Sequence, residues 1–155
     1  MSEAIQALLV AFRDDLNAGA SSTTFSSYFS ADSTSGNTPC CVEHGPAGHF
    51  DLPFVGHPFV GQYGIRDYYG QITSVLAGKG STFEEDDLLV KIKGGGRARA
   101  VWTGEAVWSM QKTGKESREA VVWAFDLAKD AEGQWKLDNW EVWADTLSAY
   151  LASQP

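Results

Sequence analysis

Apolar residues recur at steps of three and four along three stretches in the first half of the chain. Between Glu3 and Leu16, for example, they stand at positions 5, 8, 9, 12 and 16. This spacing is typical of amphipathic helices, because it places the apolar side chains on one face. The pattern predicts helices over Glu3–Leu16, Thr23–Phe29 and Tyr63–Leu76.

The period changes from helical to alternating after Gly80. Alternation of apolar and polar residues is typical of strands that bury one face. It predicts four strands separated by glycine-containing turns: Thr82–Ile92, Ala98–Gln111, Glu116–Leu127 and Trp135–Ala144. A short strand, Cys40–His44, and a final helical turn, Thr146–Ala152, complete the predicted elements.

Helices followed by long antiparallel strands indicate an α+β domain. Strands of this length in a chain of 155 residues must curve strongly. We therefore predict one domain over residues 1–155, in which a curved antiparallel or mixed sheet wraps around three N-terminal helices to form a cone. The open end of such a cone leaves a cavity.

Charge and composition exclude several classes of function. The formal net charge of −8 argues against nucleic acid as a partner, because phosphate backbones are held by clustered basic residues. No apolar run approaches the roughly 20 residues of a membrane span, and Ser2–Asn17 lacks the basic start of a secretory signal. The lack of a signal makes a cytoplasmic address the expectation. Adjacent cysteines such as Cys40 and Cys41 rarely reach disulfide geometry, and without a second pair they give no structural zinc site, so we expect them to be small buried side chains.

Three segments resemble motifs of the SnoaL-like and ketosteroid-isomerase-like superfamily, which shares the nuclear transport factor fold. Residues 42–46 (VEHGP) are similar to the Val-Glu-Asp-Pro run of steroid isomerases. Residues 60–69 (VGQYGIRDYY) are similar to the superfamily's Gly-x-x-x-Ile-Arg-x-Tyr/Phe-Tyr helix start, and residues 140–145 (WEVWAD) to its Trp-x-x-Tyr-x-Asp ending. Their order and spacing agree over about Ala4–Ala152. The C-terminal residues resemble those of fungal members.

The resemblance places His44 where the steroid isomerases carry their general base, pointing into the cone. A histidine there titrates near neutral pH and suits proton transfer. The other steroid isomerase groups fall at Phe12 and about Phe125, neither of which can donate a hydrogen bond. The charged epoxide hydrolase residues fall at Glu105, Val107 and Val142. The resemblance therefore implies neither known reaction by its known mechanism.

Strand alternation suggests which side chains line the cavity. If the face that carries Glu105 and the faces that carry Trp123 and Trp140 look inward, two acids lie among aromatic rings. The expected acids are Glu105 and Asp138, and the expected walls are Phe12, Tyr69, Trp123, Phe125 and Trp140. The alternative is that a bulge or a parity shift turns either acid to solvent.

Two function classes remain open. The leading hypothesis is a cofactor-independent isomerase, cyclase or dehydratase that transfers protons within a small apolar or polycyclic metabolite, with His44, Glu105 and Asp138 as catalytic residues. The rival is a non-catalytic ligand-binding or dimeric accessory domain of the same fold. The spacing of His49 and His57 gives no metal site, and no dinucleotide or phosphate motif is present. Tryptophans predicted on both sheet faces suggest a homodimer.

Overall fold

The computed structural model describes residues 2–33 and 38–155. These residues form four α-helices and seven β-strands. The helices are α1 (Ser2–Asn17), α2 (Ser22–Ser27), α3 (Gly61–Val75) and α4 (Thr146–Ser153). The strands are β1 (Cys40–His44), β2 (Pro58–Val60), β3 (Leu76–Thr82), β4 (Leu88–Gly94), β5 (Arg97–Met110), β6 (Glu116–Lys129) and β7 (Trp135–Ala144).

The strands form one mixed sheet in the order β2-β1-β7-β6-β5-β3, with β4 also paired to β5. Strand β1 runs parallel to β7, and the remaining pairs are antiparallel. The sheet curves around the helices, so the predicted α+β cone with a mixed sheet is confirmed. The parallel β1–β7 pair joins segments that are far apart in sequence, with Cys40 opposite Asn139, which a local pattern cannot reveal.

The predicted strand Thr82–Ile92 is wrong over residues 83–87, because the chain leaves the sheet after Thr82. Phe83 turns into the core and stacks on Trp123, with ring centroids 3.9 Å apart. Gly104 makes room for it, since a Cβ atom there would lie 2.7 Å from the Phe83 ring. The chain returns to the sheet at Leu88, after a 3₁₀ turn over Glu85–Asp87.

The core lies between the concave face of the sheet and the helices. Phe12 of α1 is fully buried at its centre. It makes edge contacts with Trp123, Phe125 and Trp140 at centroid distances of 5.9, 6.0 and 5.1 Å. These contacts fix α1 inside the cone, because large aromatic rings contribute most of the apolar area that such a core buries.

Five of the six tryptophans are buried or half-buried within the monomer, and Trp143 is the exposed one. Trp143 stacks on His44 on the outer face of the sheet, whereas Trp108, Trp123 and Trp140 border the interior of the cone. A homodimer stays a prediction, and Trp143 is the one tryptophan exposed on the surface that could lie in its interface. Cys41 packs in the core and Cys40 is half-buried, as expected for small side chains without a disulfide.

Candidate active site

Strand β1 places Glu43 inside the cone. Its side chains alternate, so Cys41 and Glu43 are buried and Cys40, Val42 and His44 are less so. Glu43 is 7% exposed, and its Oε2 accepts a hydrogen bond from the hydroxyl of Tyr68 in α3 at 2.9 Å. Burial raises the pKa of Glu43 to about 7, although the Tyr68 hydrogen bond lowers it. The carboxyl group therefore exchanges a proton near neutral pH.

A second carboxyl group, that of Glu119, is buried on β6. It is 5% exposed, and its Oε1 has no hydrogen-bond partner. Burial, together with the smaller effects of the negative charges of Glu43 and Asp145, raises the pKa of Glu119 to about 8. A buried polar atom without a partner is costly, so a hydrogen bond to this oxygen would be stabilising.

Both carboxyl groups border one cavity of about 130 Å³ inside the cone. The helices contribute apolar and aromatic walls: Leu16, Phe25, Tyr68, Tyr69 and Ile72. The sheet contributes Trp108, Val121, Trp123, Trp140 and Val142. The indole Nε1 of Trp140 is a second buried atom without a hydrogen-bond partner. An apolar cavity with a few polar atoms is the usual form of a small-ligand site.

The cavity is covered on one side and open on another. Leu52 and Phe54, from the loop after β1, cover it together with Ala149 of α4. The loop folds back on β1 through a hydrogen bond of 2.8 Å from the amide of Gly56 to the carbonyl of Glu43. Four exposed residues also border the cavity, so it reaches the surface near the ends of α1 and α3 and the start of β3: Asn17, Gly19, Thr73 and Gly78.

The sheet register separates the two carboxyl groups. Glu43 lies opposite Val142, which lies opposite Trp123 on β6, and Glu119 comes four residues before Trp123. Strands are about 4.8 Å apart and residues rise about 3.3 Å, so the two backbone positions are roughly 10 Å apart across the sheet and roughly 13 Å apart along it. A small ligand can therefore lie between the two side chains.

His44 lies outside the cavity, so the expectation that it points into the cone is wrong. Its Nε2 lies 3.0 Å from Oε2 of Glu141 on the outer face of the sheet. Its ring stacks on Trp143 with centroids 3.6 Å apart. The physical reason is strand parity: the parallel pairing of β1 with β7 turns Glu43 inward, so the next residue must turn outward.

Glu105 and Asp138 also lie outside the cavity. Glu105 is exposed, because the opposite face of β5 is the concave one. Its Oε2 accepts a hydrogen bond of 2.9 Å from Arg118. The side chain of Asp138 accepts a hydrogen bond from Ser30. It falls at a bulge where Asn139 pairs with Asp126 but Leu137 pairs with Leu127, which breaks the alternation.

Of the five predicted wall residues, Tyr69, Trp123 and Trp140 line the cavity. Phe12 and Phe125 do not line it, because they pack against one another in the core with ring centroids 6.0 Å apart.

The sequence reasoning missed Glu43 and Glu119 as site residues. Alternation does place Glu119 on the same face of β6 as Val121, Trp123 and Phe125, so that signal was present. Glu43 has the parity of the apolar Cys41, which was a second signal.

Within residues 2–33 and 38–155, no group of three or more His, Cys, Asp or Glu side chains is arranged to hold a metal ion. No helix in this part of the chain is long and apolar enough to cross a membrane.

The backbone is similar to that of solved proteins of low sequence identity. A ketosteroid isomerase-like protein from Erwinia carotovora atroseptica superposes with a TM-score of 0.72 at 14% identity, over 92% of this chain and 95% of that chain. ActVI-ORFA from Streptomyces coelicolor superposes with a TM-score of 0.66 at 11% sequence identity, over 93% of this chain and 96% of that chain. The hexachlorocyclohexane dehydrochlorinase LinA-type3 from Novosphingobium barchaimii superposes with a TM-score of 0.67 at 11% sequence identity, over 93% of this chain and 86% of that chain.

No protein-family model matches the sequence, and the comparison with curated proteins gave no significant match. At identities below 25% the structural likeness establishes the fold alone. The chain therefore has the α+β cone fold of the ketosteroid isomerase-like and nuclear transport factor 2-like proteins. The fungal origin stays a prediction.

Proposed function

We propose that the cavity is a cofactor-independent active site in which Glu43 transfers protons within a small, largely apolar compound. The reaction would be that of an isomerase, a cyclase or a dehydratase. The observation that carries this proposal is a buried carboxyl group that borders an aromatic cavity and has a pKa of about 7. A general acid or base works best when its pKa lies near the working pH.

Glu43 can act first as a base and then as an acid. In its ionised form it takes a proton from a carbon atom of the ligand, and Tyr68 stabilises that form by donating a hydrogen bond. The protonated Glu43 then returns the proton. In an isomerisation the proton goes to another carbon and the double bond moves. In a dehydration it goes to the departing hydroxyl group, which leaves as water.

Glu119 supports the same chemistry by holding the ligand. Its unpartnered Oε1 and the unpartnered Nε1 of Trp140 belong to side chains that border the cavity. A polar group on the ligand that reaches either atom removes the cost of leaving it unpaired. Such contacts orient the reacting carbon toward Glu43, and orientation is a large part of catalysis by a rigid site.

The cavity volume favours a ligand with one ring. A cavity of about 150 Å³ in another protein binds benzene, and the volume here is about 130 Å³. A polycyclic compound would have to displace the covering side chains of Leu52 and Phe54.

The proposal is tested by deuterium exchange in a panel of monocyclic ketones, hydroxyketones and their amine-bearing counterparts. Each compound is incubated with the protein in D₂O, and exchange at carbon is followed by proton NMR. The double variant Glu43→Gln/Glu119→Gln is the matched control for contaminating activities. We expect exchange or conversion of at least one compound by the native protein and none by the double variant.

A second candidate is a non-catalytic ligand-binding protein. The position of His44 favours it, because the residue that suggested a catalytic base lies outside the cavity. Compounds that bind in the cavity without any exchange would support this alternative and contradict the proposed enzyme.

A further inference from the structure

The charges around the cavity are all of one sign. Glu43 and Glu119 border it, and none of the described residues that line it is a lysine, arginine or histidine. Asp145, which caps α4 by accepting a hydrogen bond from the amide of Leu147, adds negative potential at Glu119. Without a cation beside it, a carboxyl group in such an apolar site holds its proton, because burial of a single charge is unfavourable. A ligand that brings a positive charge would offset this cost and favour the ionised form.

The unpartnered Oε1 of Glu119 points to a ligand that donates. It belongs to a side chain that is 5% exposed, so water from the bulk solvent reaches it poorly. An ionised carboxylate can only accept hydrogen bonds. A protonated amine would provide both the donor and the counter-charge that the lining residues lack.

The walls suit an organic cation. Trp108, Trp123 and Trp140 border the cavity together with Tyr69 and Phe25. The faces of aromatic rings attract cations, most strongly those of tryptophan. The net charge of −8 also draws cations toward the protein over longer distances.

We infer that the ligand of this cavity is a monocyclic compound that carries a protonated amine, with the nitrogen paired to Glu119 and the ring among the tryptophans. The inference rests on the proposed function only in placing the ligand between Glu43 and Glu119. It assigns Glu119 to ligand recognition and leaves Glu43 for proton transfer. An oxygen on the same ligand could accept a hydrogen bond from Nε1 of Trp140.

The test compares two probes of nearly equal size, benzylamine and benzyl alcohol, by isothermal titration calorimetry near pH 7. Benzylamine is a cation at this pH, and benzyl alcohol is neutral. We expect benzylamine to bind the native protein at least tenfold more tightly. Glu119→Gln should reduce this preference to about twofold or less. The control Glu105→Gln makes the same substitution on the outer face and should retain the preference.

A second measurement needs no variant. At pH 7 Glu119 is mostly protonated, since its pKa is about 8. Binding of benzylamine should therefore release close to one proton, measured from the difference in heat between two buffers, and benzyl alcohol should release none. Equal affinity for the two probes, or a preference that persists in Glu119→Gln, would overturn the inference.

The two proposals fail in different ways. Preferential binding of benzylamine with no proton exchange in the compound panel would contradict the proposed enzyme activity and support the amine site. Proton exchange on neutral compounds, with benzylamine bound no more tightly than benzyl alcohol, would contradict the amine site and support the proposed enzyme activity.

Discussion

Glu43→Gln is expected to lower the rate of proton exchange by a factor of about 10² to 10⁴, the usual contribution of a general acid or base. Glutamine has nearly the shape of glutamate, and its carbonyl oxygen can still accept the hydrogen bond from Tyr68. The amide cannot carry the proton. The variant should fold, because the change removes a buried ionisable group and leaves the packing of β1 intact. The measurements are the exchange rate and the thermal unfolding midpoint.

His44→Gln is the matched control for this prediction. His44 is the next residue on the same strand, but its ring lies on the outer face against Trp143. We expect the exchange rate of this variant to stay within about twofold of the native value. A loss of activity in His44→Gln with retention in Glu43→Gln would show that the outer face carries the chemistry and that the cavity does not.

The second large effect concerns stability at alkaline pH. The pKa of Glu119 rises from 4.5 to about 8 in the folded protein. The folded state therefore holds this proton more tightly than the unfolded state does. Its stabilising contribution is complete below pH 4.5 and is lost as the pH rises through about 8. Glu43, with a pKa of about 7, acts in the same direction.

Glu119→Gln should therefore flatten the dependence of stability on pH. Near pH 5 the native protein and the variant should have similar free energies of unfolding in urea. Near pH 9 the variant should be more stable by an amount on the order of a few kcal/mol, since each pKa unit corresponds to about 1.4 kcal/mol. Glu105→Gln, which changes an exposed ion pair, should follow the native curve. Parallel curves for the native protein and Glu119→Gln would show that Glu119 is not held in its neutral form.

The fold was largely predictable from the sequence because its long elements have clear periods. The step of three and four residues in α1 and the alternation in β6 and β7 correspond to helices and strands that bury one face. The error at Thr82–Ile92 has a local cause. Phe83 is an apolar residue in an alternating stretch, and only the space left by Gly104 on another strand shows that it leaves the sheet.

The candidate site was predictable only in part, because alternation shows which side chains share a face and not which face is concave. For β6 the aromatic residues Trp123 and Phe125 correctly identified the face that is buried. For β5 the face of Glu105 was wrong, and for β7 a bulge at Asp138 broke the parity. The orientation of β1 depends on a parallel pairing with β7, almost a hundred residues away in sequence, so Glu43 and His44 could not be separated locally.

The proton occupancy of the cavity can be measured directly by NMR, with the glutamate side chains labelled with carbon-13 and titrated from about pH 3 to pH 10. Two glutamate carboxyl resonances should titrate near pH 7 and pH 8. The first should vanish in Glu43→Gln and the second in Glu119→Gln. This result would place two protonatable carboxyl groups in the cavity at neutral pH. Titration of every glutamate near its ordinary pKa of 4.5 would contradict it, and with it the proton transfer proposed for Glu43.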